Sequence, residues 1–322
     1  MSSEPYKHIL IIGMAGGLAN ITAKILLMKF PGIKITGVDQ RSPRGNTTQM
    51  EGIEFKKIRY TRGSFERLFR DNQFDAVYHL GRLTHGKDHL LSSMEDRLDL
   101  NLIETKRILD LSLKFNVKKV IILSTYHVYG ALHDNPAFLQ EDNPLRASIK
   151  YPELRDVVEM DQIATNWLWK NQRKIETVVL RPATIIGPQI KNTMTRYLLT
   201  PYMPVCADFN PMYQFIHEFD MASILTRTLH DLSSGIYNVA PDECISLKEA
   251  KKVLNIPTTP IPSFLLKFSN RLAQAMAWSL PRYFIDYLKY SCIIDNELLK
   301  SQLGPDLFRY KTKEALTISK LD

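Results

Sequence analysis

The residues best suited to chemistry stand near the start of the chain: Gly13-Met14-Ala15-Gly16-Gly17-Leu18-Ala19, with Asp39, Gln40 and Arg41 further on. An apolar run, His8 to Ile12, leads into Gly13 and reads as a fully buried strand. A helical pattern from Leu18 to Phe30 is closed by Pro31-Gly32, and a second apolar run, Ile33 to Val38, ends in Asp39. Strand, glycine turn, helix, strand and acid in this order make a dinucleotide-binding βαβ pattern. Gly13 permits the tight turn out of the strand. Gly16 has no Cβ, so a pyrophosphate can come close to the backbone. The helix N-terminus at Gly17 and Leu18 offers unpaired N–H groups and the positive end of a dipole. Asp39, flanked by Gln40 and Arg41, is placed to accept hydrogen bonds from the adenosine ribose hydroxyls. The spacing is Gly-x-x-Gly-x-x-Ala, and Ala19 is small enough to let the helix pack against the strand.

Asp39 also bears on cofactor choice. Its charge repels a ribose 2′-phosphate, so NAD is expected over NADP. Arg41 and Arg44 argue the other way, since either can pair with that phosphate.

A chain of 322 residues suits one large α/β domain or two coupled ones, and an apolar fraction of 44% is ample for a core. The net charge of +8 comes from scattered lysines and arginines, which read as solvated faces and not as a nucleic-acid surface. No apolar run approaches the roughly 18 residues that a transmembrane helix needs. The short polar stretch before His8 carries no secretory pattern, so a cytoplasmic protein is expected. Cys206, Cys244 and Cys292 are too far apart for a disulfide framework or a metal site, and no metal is expected.

The glycine turn has to be held by alternating strands and helices, and the chain supplies them. Ile53 to Ile58, Phe74 to Leu80, Val120 to Leu123 and Val178 to Leu180 read as further strands. Phe65 to Asn72, Leu98 to Asn116 and Pro152 to Gln172 read as helices between them. Such alternation predicts a doubly wound parallel sheet. From Gly187 the pattern becomes irregular, with Pro201, Pro204 and Pro211 marking loops, and Ile236 to Ala240 give one more strand. The aromatic-rich stretch from Pro260 to Tyr290 reads as core or lid of a smaller second domain, with a membrane-touching amphipathic segment as the alternative.

Further stretches follow in a telling order. They are His79-Leu80-Gly81, Ser124-Thr125-Tyr126-His127-Val128-Tyr129-Gly130, Tyr151 to Glu159, Leu180-Arg181-Pro182-Ala183-Thr184-Ile185-Ile186-Gly187-Pro188, Gln214 to Ala222 and Gly235 to Ala240. With the opening glycines, the chain resembles the extended short-chain dehydrogenase/reductase family nearly end to end. Within it, the chain is most similar to the NAD-dependent epimerase/dehydratase branch, in a divergent subgroup similar to UDP-glucose 4-epimerase.

The resemblance implies a Ser or Thr, a Tyr and a Lys four residues later as the working groups. The Tyr exchanges a proton with a substrate hydroxyl, the Ser/Thr bonds the same oxygen, and the Lys holds the nicotinamide ribose and lowers the Tyr pKa. Thr125 and Tyr151 match the first two, with Glu159 fixing the register, but the lysine position holds Arg155. Arginine keeps the charge and is not a conservative replacement. The resemblance also places Leu80, Gly81, Arg82, Asn101 and Pro182 along the cofactor, and Thr184 and Ile185 at the substrate. The third-strand end, Tyr60-Thr61-Arg62-Gly63, lacks the acid that meets adenine in many relatives. His79, His127 and His217 read as scaffold.

The expected architecture is a Rossmann-type nucleotide domain, 1–186, rejoined by 214–240, with a smaller substrate-binding domain from 187–213 and 241–322. The expected function is NAD-dependent epimerase, dehydratase or reductase chemistry on a hydroxylated small molecule, a nucleotide-sugar being one candidate. Two alternatives stand beside it: a hydroxysteroid- or lipid-alcohol dehydrogenase, and a cofactor-binding protein with a degenerate site and little catalysis. The resemblance implies a homodimer through the helices beginning near Leu98 and Pro152, with Met160, Ile163, Ala164, Trp167 and Leu168 as apolar positions at helical spacing.

Overall fold

A computed structural model describes residues 6–43, 51–81, 99–265 and 280–320, with only the backbone of residues 99 and 100. Arg44, Arg82 and residues 266–279 of the aromatic-rich stretch lie outside the described residues.

The first half alternates as its sequence pattern requires. β1 (His8–Ile12), α1 (Gly17–Lys29), β2 (Lys34–Asp39), β3 (Ile53–Lys57), α2 (Arg62–Asp71) and β4 (Ala76–His79) come first. A π-helical turn (Asp99–Glu104) leads into α3 (Thr105–Lys114), then β5 (Lys119–Leu123), α4 (Ala147–Lys150), α5 (Arg155–Asn171), β6 (Glu176–Pro182) and β7 (Thr184–Ile186). The second half adds α6 (Thr193–Leu199), β8 (Met203–Cys206), β9 (Met212–Tyr213), β10 (Phe215–His217), α7 (Glu218–Asp231), β11 (Gly235–Val239), β12 (Ile245–Ser246), α8 (Leu247–Val253) and β13 (Thr258–Ile261). It closes with α9 (Phe284–Tyr287), α10 (Glu297–Leu303) and α11 (Thr312–Ile318).

Seven strands form one parallel sheet in the order β11-β6-β5-β4-β1-β2-β3. Its strands are apolar on both faces because helices cover both. Ile9 and Ile11 face one core with Ile21, Ala23 and Leu26 of α1 and Ile224 and Leu225 of α7. Leu10 and Ile12 face the other, with Phe65 and Phe69 of α2, Ile108 and Leu109 of α3 and Leu168 of α5. A strand's alternation of side chains distributes one continuous apolar run between two cores.

The chain then leaves the main sheet. β10 pairs with β7, β9 with β12 and β8 with β13, each as a two-stranded ribbon. Tyr283, Phe284 and Tyr287 are buried, so this part of the aromatic-rich stretch is core. No helix among the described residues is long and apolar enough to cross a membrane.

Four of the five apolar positions offered for dimerisation are used inside the chain. Met160, Ala164, Trp167 and Leu168 are buried, and Trp167 Nε1 donates to Asp110 Oδ1 of α3. The stripe on α5 faces its own sheet and α3, because an interior helix must first cover the strands beneath it.

Candidate active site

The glycine turn is built by close backbone approach. Gly13 adopts φ +90°, and its N–H and that of Met14 both donate to Val38 O at 2.9 and 3.1 Å. A Cβ on Gly13 would lie 2.5 Å from the Cα and N of Gly81, so β1 and β4 can end side by side only through glycines. Gly16 precedes α1 with no side-chain cap on that helix, and its N–H bonds back to Gly13 O at 3.0 Å. A Cβ built on Gly16 meets one heavy atom within 4 Å among the described residues, Gly13 O at 3.2 Å. An uncapped helix start beside an open glycine is the chemistry that an anionic phosphate requires. The next glycine is covered: a Cβ on Gly17 would strike Gln189 O at 2.4 Å. The loop after β7 therefore leans over the first turn of α1, fixed by a hydrogen bond from Gln189 N–H to Glu218 Oε2. Leu18 is buried beneath it.

Asp39 ends β2 beside this turn. Its Oδ2 accepts the Ala15 N–H at 3.0 Å and its Oδ1 accepts the Arg41 N–H at 2.9 Å. Each carboxylate oxygen keeps a second lone pair for a ribose hydroxyl. Arg41 Nε lies 3.6 Å from Asp39 Oδ1, with most of its side chain in solvent, and Gln40 is exposed. Leu80 is half-buried beside Gly81. The hydroxyl of Tyr60, which stands where the expected acid is missing, is buried without a hydrogen-bond partner of good geometry among the described residues, and burial pushes it well above its ordinary pKa. Gly13, Gly16, Asp39 and Gly81 thus meet at the carboxyl ends of β1, β2 and β4, where doubly wound sheets bind ligands. These residues fit a dinucleotide.

The second cluster lies at the ends of β5 and β7. Thr125 is buried, and its Oγ1 caps the short turn Tyr126–Val128. Tyr126 Oη and Thr184 Oγ1 are 3.0 Å apart, which ties up the hydroxyl of Thr184. Ile185 is half-buried and Pro182 is buried at the end of β6. Behind them Arg181 is 2% exposed and makes a two-pronged contact with Asp161, at 3.0 and 2.7 Å. Ser124 Oγ donates to the same carboxylate at 2.5 Å, and Arg181 Nη1 donates to Tyr129 Oη and Glu141 O. This network pins the ends of β5 and β6 to α5.

Two expectations need correction. Arg155 does not face Tyr151: its Nε donates to Glu159 Oε1 at 2.5 Å, and its side chain is 65% exposed. Tyr151 sits at φ −125°, ψ 95° between α4 and a short turn, Pro152–Leu154, and α5 begins only at Arg155. A four-residue spacing aligns two side chains only along an unbroken helix, and the helix here is broken at Pro152. Second, the phenol of Tyr151 is not poised to ionise. It donates to Asp286 Oδ2 at 2.6 Å, with Ala131 O at 3.2 Å, and burial together with the Asp286 carboxylate pushes its pKa well above the ordinary tyrosine value. Asn101, expected along the cofactor, is fully buried and donates to Asp156 Oδ2 of α5 at 2.8 Å.

His79 is scaffold, buried and held at 2.8 Å from Thr105 Oγ1, with burial lowering its pKa to about 4. His217 caps α7 through Nδ1. His127 packs among Tyr126, Tyr283 and Tyr287. Sequence reasoning missed Asp286, which reaches Tyr151 across 135 residues with no local signal. It also passed over Lys150, whose only signal is adjacency to Tyr151.

Comparison with known proteins places this geometry. An uncharacterized protein of Mycobacterium tuberculosis is 23% identical over 274 residues, covering 84% of this chain and 72% of the relative. The fold is similar to that of a dTDP-glucose 4,6-dehydratase from Bacillus anthracis in complex with NAD, with TM-score 0.74, 18% identity and coverage of 98% of this chain and 95% of the other. It is equally similar to a UDP-glucose 4-epimerase from Bifidobacterium longum in complex with NAD+ and UDP, with TM-score 0.74, 20% identity and coverage of 98% and 97%. Residues 9–240, from the first sheet strand to the end of β11, match the NAD dependent epimerase/dehydratase family, and it is to this family that the chain belongs.

Proposed function

We propose that this protein binds NAD and carries out redox-coupled epimerase, dehydratase or reductase chemistry on a hydroxylated small molecule, a nucleotide-sugar being the leading class. The observation that carries the reading is the glycine turn: an uncapped helix start, an open face at Gly16 and an acid at the end of β2, all at the carboxyl ends of the strands. The similar dehydratase and epimerase structures carry NAD, and one also carries UDP, which supports the cofactor and the substrate class. Gly13, Gly16, Gly17 and Leu18 would seat the pyrophosphate, and Asp39, Gln40 and Arg41 the adenosine ribose. Leu80, Gly81 and Pro182 would line the cofactor's path. NAD, when bound, supplies a hydride acceptor. Thr125 and Tyr151 would bond the reacting substrate hydroxyl, with Tyr151 carrying its proton and Thr184 and Ile185 lying nearby. The assembly proposed is a homodimer, for which light scattering at micromolar concentration is the check.

The hold of Asp286 on the Tyr151 phenol favours a second reading, a dinucleotide-binding protein with little turnover. Calorimetry with NAD, followed by nicotinamide absorbance on mixing with UDP-glucose and dTDP-glucose, separates the two. NAD binding with reduction or turnover supports the enzyme, and NAD binding with unchanged sugars supports the second reading. Absence of NAD binding overturns both.

A further inference from the structure

Position 155 delivers no charge to Tyr151, yet a cation does reach it. Lys150 Nζ lies 5.4 Å from the centre of the Tyr151 ring and 5.7 Å from that of Tyr290. The same ammonium is 2.7 Å from Asp286 Oδ2. That oxygen also accepts the Tyr151 phenol at 2.6 Å. One carboxylate oxygen therefore takes two donors, a phenol and an ammonium, from neighbouring residues of the chain. Asp286 comes from α9, which is anchored by the buried Tyr283, Phe284 and Tyr287. Among the described residues, the groups that face the phenol are Asp286, Lys150, Tyr283, Tyr290 and Cys292. Asp286 and Lys150 are the carboxylate and the ammonium that meet there.

We propose that Asp286 and Lys150 are the positioning pair of Tyr151: Asp286 takes the phenol's proton as a substrate hydroxyl delivers one to the phenol oxygen, and Lys150 supplies the positive charge that Arg155 does not. This rests on the reading of Tyr151 as the proton carrier. In the step, the substrate O–H bond breaks and its proton bonds to the Tyr151 oxygen. The Tyr151 O–H bond breaks and its proton bonds to Asp286 Oδ2. An oxidised nicotinamide, the co-reactant of the proposed function, would supply the acceptor for the hydride that leaves the substrate carbon. Asp286 alone opposes a tyrosinate, because like charges on adjoining oxygens repel, and Lys150 offsets that repulsion. The balance between the two sets the proton affinity of the relay.

The test reads the phenol directly and needs no substrate. The full chain is labelled with [13Cζ]tyrosine, the Tyr151 resonance is assigned by its loss in Tyr151→Phe, and pH titrations are followed by NMR. Asp286→Asn should lower the Tyr151 midpoint by at least one pH unit, a tenfold rise in its ionisation constant. Adding Lys150→Met to that variant should raise the midpoint again by a similar amount. Arg155→Met should leave the Tyr151 resonance where it is in the parent. Asp286→Ser serves if the asparagine variant fails to fold by circular dichroism. An unmoved midpoint in both Asp286 variants, or a response to Arg155→Met as large as that to Lys150→Met, overturns the proposal. Calorimetry with NAD on the parent is run alongside: loss of cofactor binding overturns the proposed function and leaves the titration result standing.

Discussion

Gly13 and Gly81 stand back to back where β1 and β4 end, so close that a Cβ on Gly13 would lie 2.5 Å from both the Cα and the N of Gly81. Gly13 also holds φ +90°. Gly16, three residues on, has an ordinary extended backbone at φ −79°, ψ 145° and, among the described residues, only Gly13 O near its missing Cβ. The two glycines therefore serve different ends. Gly13→Ala should cost about 2–4 kcal/mol of stability, from strain at positive φ added to the clash. Gly16→Val should keep the fold within about 1 kcal/mol of the parent, since only one neighbour has to give, and should abolish NAD binding. Urea denaturation and calorimetry distinguish the pair. A Gly16→Val variant that binds NAD like the parent removes the turn as the phosphate site.

Asp39 should make the protein prefer NAD to NADP. Its carboxylate is buried, bound to two backbone N–H groups and set at the end of β2, where a 2′-phosphate would meet its charge. Asp39→Asn keeps the shape and removes the charge, and should narrow the gap between the two cofactors by roughly tenfold, about 1.4 kcal/mol. Calorimetric titration of both cofactors into both proteins is the measurement. Tighter NADP binding by the parent would overturn the preference for NAD.

The Arg181–Asp161 pair should be expensive to break from one side. Both side chains are almost fully buried, at 2% and 0% exposure. Arg181→Met leaves the Asp161 charge without its main partner and should cost about 3–5 kcal/mol. Replacing both by apolar residues should recover much of that loss. A double-mutant cycle in urea tests it, and purely additive losses would contradict a direct pair.

His79 should make stability fall in mild acid. Its folded pKa of about 4 lies below the ordinary value of 6.5 because burial disfavours the imidazolium. Below pH 6.5 the unfolded chain takes up a proton that the folded chain refuses until about pH 4. Stability attributable to this residue is therefore whole above pH 6.5 and lost progressively between there and pH 4, by on the order of 3 kcal/mol. His8, His217 and His230 are lowered too, so they steepen the same slope. Urea midpoints across this range should fall less steeply in His79→Gln than in the parent. An equal slope in both proteins would remove His79 from the acid response.

The sequence alone determined the glycine turn, the alternation of strands and helices through β6, and the seat of Asp39. These are local matters: a turn needs glycine where φ is positive, a doubly covered strand needs a continuous apolar run, and each is written within a dozen residues. Tertiary structure decided what surrounds Tyr151. The spacing of Tyr151, Arg155 and Glu159 matches the motif that the resemblance implies, but Pro152 starts a separate turn, α5 begins at Arg155, and the arginine pairs with Glu159 in solvent. Asp286 reaches the phenol from α9, and Asn101 is drawn inward to Asp156. Both depend on how far-separated segments pack, which no local pattern encodes. The loop carrying Gln189 folds over Gly17 for the same reason: Glu218, at the start of α7, holds its N–H from 29 residues away. Short-range pattern fixes which residues can bind a phosphate, and long-range packing fixes which charges stand beside the phenol.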